Sequence, residues 1–90
     1  MTPAAVRELL SGENPDALFA DGLDDGLVGV ARRCGQPTLA VYDYGKCVEC
    51  FVEQGMTYED AVEWMEFNVV GAWMGPGTPI WLCRPDGSEQ

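Results

Sequence analysis

The run Tyr42-Asp43-Tyr44-Gly45-Lys46-Cys47 decides the fold, together with three blocks that follow it. These are Gly55-Met56-Thr57-Tyr58-Glu59-Asp60-Ala61, Trp64-Met65-Glu66-Phe67-Asn68-Val69-Val70-Gly71-Ala72-Trp73 and Thr78-Pro79-Ile80-Trp81-Leu82. Asp43 reads as the N-cap of a helix over 44–54, because its carboxylate can accept from an otherwise orphaned amide of the first turn. Cys47, Val48, Phe51 and Val52 then recur at helical spacing, and Gly55 stops the helix. Thr57 reads as a second N-cap, with Asp60 near the capping-box position and Met56 placed to staple onto Ala61 or Val62. The helix it opens is expected to run to about residue 73. Ala61, Val62, Met65, Val69 and Ala72 form its inner stripe, and Glu59, Glu63 and Glu66 line another face. Asn68 falls on the inner side of that register. It is expected to be a buried structural amide, with mid-helix Gly71 allowing close backbone approach. Gly75-Pro76-Gly77 breaks the chain before a closing strand over 78–83.

Working upstream, Pro37 opens a strand over 38–42 of β-branched and aromatic type. Asp24 or Asp25 can cap another helix reaching Cys34, with Leu27, Val30, Ala31 and Cys34 at i, i+3, i+4 and i+7. Arg32 and Arg33 then fall in its last turn, where cations suit the helix dipole. Gly26 and Gly29 weaken its propensity, so it must lean on packing. Residues 13–25 are acidic and carry the turn signals Asn14-Pro15 and Asp21-Gly22, with a single helical turn expected over 16–20. Thr2-Pro3 begins a short first helix through residue 12, with a small core contribution from Val6, Leu9 and Leu10.

These elements predict a compact, mostly helical α+β domain, with about four helices and a two-stranded ribbon of 38–42 against 78–83. All 90 residues fit one domain: a short N-terminal helix over 1–12, an acidic loop over 13–25, a core over 26–83 and a frayed tail over 84–90. There is no internal repeat. No apolar run approaches the ~20 residues of a membrane span, and no charged-then-apolar leader is present, so a cytoplasmic protein is expected.

Fifteen acidic residues face five basic ones, a net charge of −10. Such a chain is repelled by nucleic-acid phosphates and anionic lipid, so neither is an expected direct partner. The carboxylates of Asp16, Asp21, Asp24 and Asp25 in the loop, with Glu59, Glu63 and Glu66, are the candidate binding surface for a basic protein. The bland alternative is a solvated, solubilising face. Trp64, Trp73, Trp81, Tyr42, Tyr44 and Tyr58 add more aromatic surface than a small core readily hides.

Cys34, Cys47, Cys50 and Cys83 are the candidate metal ligands. A zinc site is disfavoured, because only Cys47-x-x-Cys50 has ligand spacing and the chain has no histidine. A redox role is disfavoured too, since Cys47 lies a turn inside its helix rather than at the N-terminus. With no histidine, no Gly-rich phosphate loop and no G-x-S-x-G, neither catalysis nor a cofactor is expected.

The blocks quoted above, with Ala17-Leu18-Phe19-Ala20-Asp21-Gly22 upstream, resemble a recurrent family of small uncharacterised proteins of tailed phages and prophages. The likeness spans roughly residues 15–82. Members of that family mostly carry an apolar residue where Cys50 stands, which further disfavours zinc and redox chemistry. The resemblance implies a protein made in the cytoplasm of a bacterial host cell. It carries no activity across. Small acidic phage proteins commonly act by binding and blocking a host machine. The first expectation is therefore a non-enzymatic inhibitor of host defence, anti-restriction or anti-CRISPR, acting in the manner of a nucleic-acid mimic. A structural or self-associating phage accessory protein, including a homodimer, is second, and a thiol redox or zinc-binding protein third.

Overall fold

The computed structural model describes residues 2–84. Helix α1, Pro3–Glu13, starts where expected: the Thr2 hydroxyl accepts from the Ala5 amide at 3.1 Å, and Pro3 occupies the first turn, where it has no amide to waste. Its core contribution is larger than the sequence reading allowed. Val6 and Leu10 are both fully buried and rank among the largest such side chains.

The expected helix up to Cys34 does not form. Asp24–Gly26 make one 3-10 turn, and Leu27–Ala31 form strand β1. Asp24 caps no α-helix; its carboxylate instead takes the Arg7 guanidinium at 2.7 Å. Gly26 is buried against the second helix, where an added Cβ would stand 2.6 Å from the Cys47 Sγ. That contact fixes the chain in a turn too tight for a side chain. Val28 and Val30 are β-branched, and Gly29 disfavours helix, so the local preference goes to strand once packing demands it. Arg32 and Arg33 consequently sit not in a helix but on the exposed turn between β1 and β2.

Strand β2, Leu39–Asp43, is central in a three-stranded sheet of order β1-β2-β3. It pairs antiparallel with β1 and parallel with β3, Ile80–Leu82. The expected pairing of the two later strands is present, enlarged by β1. Register places Tyr42 beside Trp81, with ring centroids 5.2 Å apart, and Val41 beside Ile80. Helix α2, Tyr44–Glu53, follows directly, capped as expected by Asp43, whose Oδ1 accepts from the Lys46 amide at 3.1 Å. Helix α3, Tyr58–Trp64, is capped by Thr57, which accepts from the Asp60 amide. Among the described residues three α-helices thus stand where four were expected.

Beyond Trp64 the chain widens into a π-helical segment, Met65–Val70, ended by the Gly71 amide donating to the Glu66 carbonyl at 3.1 Å. This alters the side-chain register. Bonding to i−5 puts more residues in each turn than an α-helix does. Asn68 therefore rotates away from buried Met65, while Val69 stays near the core. Asn68 is exposed, not the buried amide expected. Gly71 does permit a close approach, but to its own Glu66 carbonyl, 2.8 Å from where a Cβ would lie, and not to a strand. Asn68→Leu is accordingly expected to change stability by less than ~0.5 kcal/mol, as exposed substitutions usually do. Urea denaturation measures this, and a loss above ~1 kcal/mol would restore a structural role.

The acidic segment is strapped down rather than loose, and the expected helical turn over 16–20 is absent from it. The Leu18 amide donates to the Gly77 carbonyl at 2.9 Å, the Ala20 amide to the Tyr42 hydroxyl at 2.8 Å, and the Asn14 side chain to the Thr38 carbonyl at 2.8 Å. Gly77 is required there, because a Cβ would lie 2.5 Å from the Asp16 carbonyl oxygen. Of the tail over 84–90 that was expected to fray, Arg84 is held by Asp43, and 85–90 lie outside the described residues. No described helix is long and apolar enough to cross a membrane.

Candidate functional site

The strapped segment, α2, the π-helical segment and the loop before β3 enclose an apolar groove of ≈ 420 Å³. Phe19, Phe51, Trp64, Met74, Pro79 and Trp81 supply its walls, with Asp21 and Asn68 among its polar members. A second depression adjoins it through Trp64 and Asn68, and adds Met56, Asp60, Glu63 and Phe67. Burial leaves large apolar groups facing water here: Trp64 is 45% exposed, Phe67 75% and Met74 69%. Exposed aromatic clusters beside polar groups are a common feature of interaction surfaces.

The expected acidic residues do not converge on one spot. Asp21 lines the groove and Glu63 its extension. Glu66 is engaged by the Tyr44 hydroxyl, which donates to its Oε2 at 2.7 Å; burial first, and then that carboxylate, raise the Tyr44 phenol above its ordinary value. Asp24 is paired with Arg7, whose guanidinium also stacks 4.3 Å over the Phe19 ring. Asp16 lies in a further depression that borders the groove through Leu18 and Met74. Asp25 and Glu59 are exposed and line none of these depressions. Sequence reasoning missed Asp60, Phe67 and Met74. Phe67, an apolar residue directly after the wet-face Glu66, was the available signal.

Asp43 and Thr57 act as the structural caps assigned to them. Asp43 also receives the Arg84 guanidinium through Nε at 3.1 Å and Nη2 at 2.7 Å. Burial opposes its charge most strongly. The Arg84 and Lys46 hydrogen bonds with their positive charges outweigh that, and hold the carboxyl below its ordinary pKa.

The cysteines are dispersed in character. Cys47 is buried, and that burial, with Cys50 and Asp43 nearby, pushes its thiol up to about 12. Cys50 is half-buried and also raised, by burial and then by Asp25, Glu53 and Glu49. The thiolate needed for disulfide exchange is thus disfavoured at both positions. Cys34 and Cys83 are exposed, and among the described residues no three His, Cys, Asp or Glu side chains gather as a metal set. Comparison with protein-family models, with curated proteins and with solved structures finds no match to this chain.

Proposed function

We propose that this protein is a non-enzymatic binding module that takes a protein partner with a basic, apolar-anchored surface. The observation carrying this reading is the exposure of Trp64, Phe67 and Met74 beside Asp21, Asp60 and Glu63. Aromatic anchors supply affinity when desolvated, and surrounding carboxylates steer a cationic partner to them. The resemblance to small phage proteins supports placing the partner in a bacterial host, with host-defence machinery of basic, nucleic-acid-binding character as the target. A homodimer is the second reading, favoured by the exposure of Trp73 on the far side of the same loop.

Capture of a stoichiometric host partner by the intact protein tests the first reading, provided the groove is shown to hold it. Asp21→Lys with Glu63→Lys is expected to slow association roughly tenfold at low salt, and that difference should shrink as salt rises. Trp64→Ala is expected to speed dissociation, at a cost of about 2 kcal/mol in affinity. The Glu63 change leaves α3 intact, because lysine is as good a helix former and suits the last turn. Unchanged capture by both variants would refute the proposal, and a concentration-dependent dimer lost with Trp73→Ala would support the second reading.

A further inference from the structure

A second groove, of ≈ 420 Å³, lies on the other side of the loop that carries Trp73 and Met74. Its charge is opposite to that of the first. Of the five basic residues, Arg7 is paired with Asp24 and Arg84 with Asp43. Arg32 and Arg33 make no ion pair among the described residues, and both line this groove. The floor comes from the sheet. Ala31 pairs with Leu39 and Val41 with Ile80, and Leu39 lies two residues from Val41, so Ala31, Leu39 and Ile80 share one face. The opposite face, with Ala40 and Tyr42, is spent on the core. Trp73, 74% exposed, stands over the apolar side of the groove with Pro37 and Pro76.

From this juxtaposition of an arginine pair, an exposed indole and an apolar sheet floor, we propose a site for a small ligand that joins an anionic group to a flat apolar ring. A nucleoside monophosphate and an aromatic carboxylate share that chemistry. Guanidinium groups bind phosphate or carboxylate through paired N–H donors, and an indole face takes a planar ring by stacking. The groove has the volume of ordinary small-molecule sites. Net charge selects the size class: at −10 the chain repels a polyanion over its whole length, whereas a ligand with one or two charges meets chiefly the two arginines. This site does not depend on the protein-binding groove. Thr78 borders both, so the two adjoin without sharing their principal residues.

Calorimetric titration of the intact protein with AMP, indole-3-acetate, adenosine and inorganic phosphate, at low ionic strength, tests the proposal. AMP or indole-3-acetate is expected to bind with a submillimolar Kd and to shift the indole N–H resonance of Trp73; which of the two binds identifies the source. Adenosine and phosphate alone are each expected to bind about tenfold more weakly or worse, because each offers half of the chemistry. Arg32→Gln with Arg33→Gln, and separately Trp73→Ala, should each weaken binding about tenfold, while Gln54→Ala, exposed and outside both grooves, leaves it unchanged. All these side chains are exposed, and an unchanged thermal melt verifies that the fold is intact. No binding by either ring-bearing anion, phosphate binding as tightly as AMP (an adventitious ion only), or full binding by the arginine and tryptophan variants would each overturn it. Preferential binding of a glutamate-rich peptide would overturn it too.

Discussion

Tyr42→Ala is expected to lower the unfolding free energy by about 3–5 kcal/mol, the range for truncating a large buried aromatic. Tyr42 has no exposed surface and is the largest fully buried side chain. Its ring packs against Trp81 across the β2–β3 pair, and its hydroxyl accepts from the Ala20 amide. One side chain therefore joins the sheet, the closing strand and the acidic strap. Domains of this size commonly hold only ~5–15 kcal/mol in total, so the loss is a large share of the whole. Tyr42→Phe separates the two contributions, keeping the packing but leaving the Ala20 amide unpaired, for about 1–2 kcal/mol. Urea denaturation of both variants reads the difference. A loss below ~1.5 kcal/mol for the alanine variant would place the centre of the core elsewhere.

What could be read from the sequence was what is decided within a few residues. Asp43 and Thr57 are caps because an oxygen three residues before an orphaned amide satisfies it in any context, and both were legible. The strand over 38–42 was legible for a similar reason, from its β-branched and aromatic run, whereas its pairing with the closing strand spans about forty residues and was expected only because no third strand was legible. β1 was not, and its bulge explains why. Register runs from Leu27 opposite Tyr42 to Gly29 opposite Val41, so one extra residue lies between them. That extra residue puts Leu27 and Val30 on the same face, although they are three apart. A bulged strand then carries the i, i+3 signature of a helix, against which stand only the weak local preferences of Val28, Gly29 and Val30 and the burial of Gly26 against Cys47. Asn68 failed through the opposite error, an α-helical period carried across a π-helical segment. Of the candidate site, Asp21, Glu63 and the surplus of aromatic surface were visible. Their assembly into one groove was not, because the strap that carries Phe19 and Asp21 is placed by the Gly77 and Tyr42 contacts, far off in sequence.

The largest electrostatic effect is expected from Arg84→Met, which should cost on the order of 3 kcal/mol near neutral pH and should reverse how stability responds to acid. The Asp43 side chain is only 1% exposed, whereas Arg84 is 39% exposed. Removing the arginine thus strands a buried charge, which is costly, while removing the carboxylate leaves a guanidinium that can still reach water. In the native protein the Asp43 carboxyl lies below its ordinary pKa. A group depressed on folding stabilises above its unfolded pKa, about 3.9, and that stabilisation is lost as pH falls through the folded value. Without Arg84, burial is opposed by little more than the Lys46 amide and charge, and the carboxyl is expected to rise above 3.9 instead. A raised group favours the folded state fully only below the unfolded pKa, and that advantage disappears as pH rises through the folded value. The deficit of Arg84→Met against the native chain should therefore be largest at pH 7 and shrink toward pH 4, as Asp43 takes up a proton. Asp43→Asn, which carries no charge to strand, should keep part of the cap and show a flatter dependence over the same window. Unfolding free energies of the three proteins from pH 4 to 7 decide the matter. A deficit for Arg84→Met that stays constant across that window would mean Asp43 remains ionised without its partner, and a deficit near zero throughout would mean the pair contributes little beyond the helix cap.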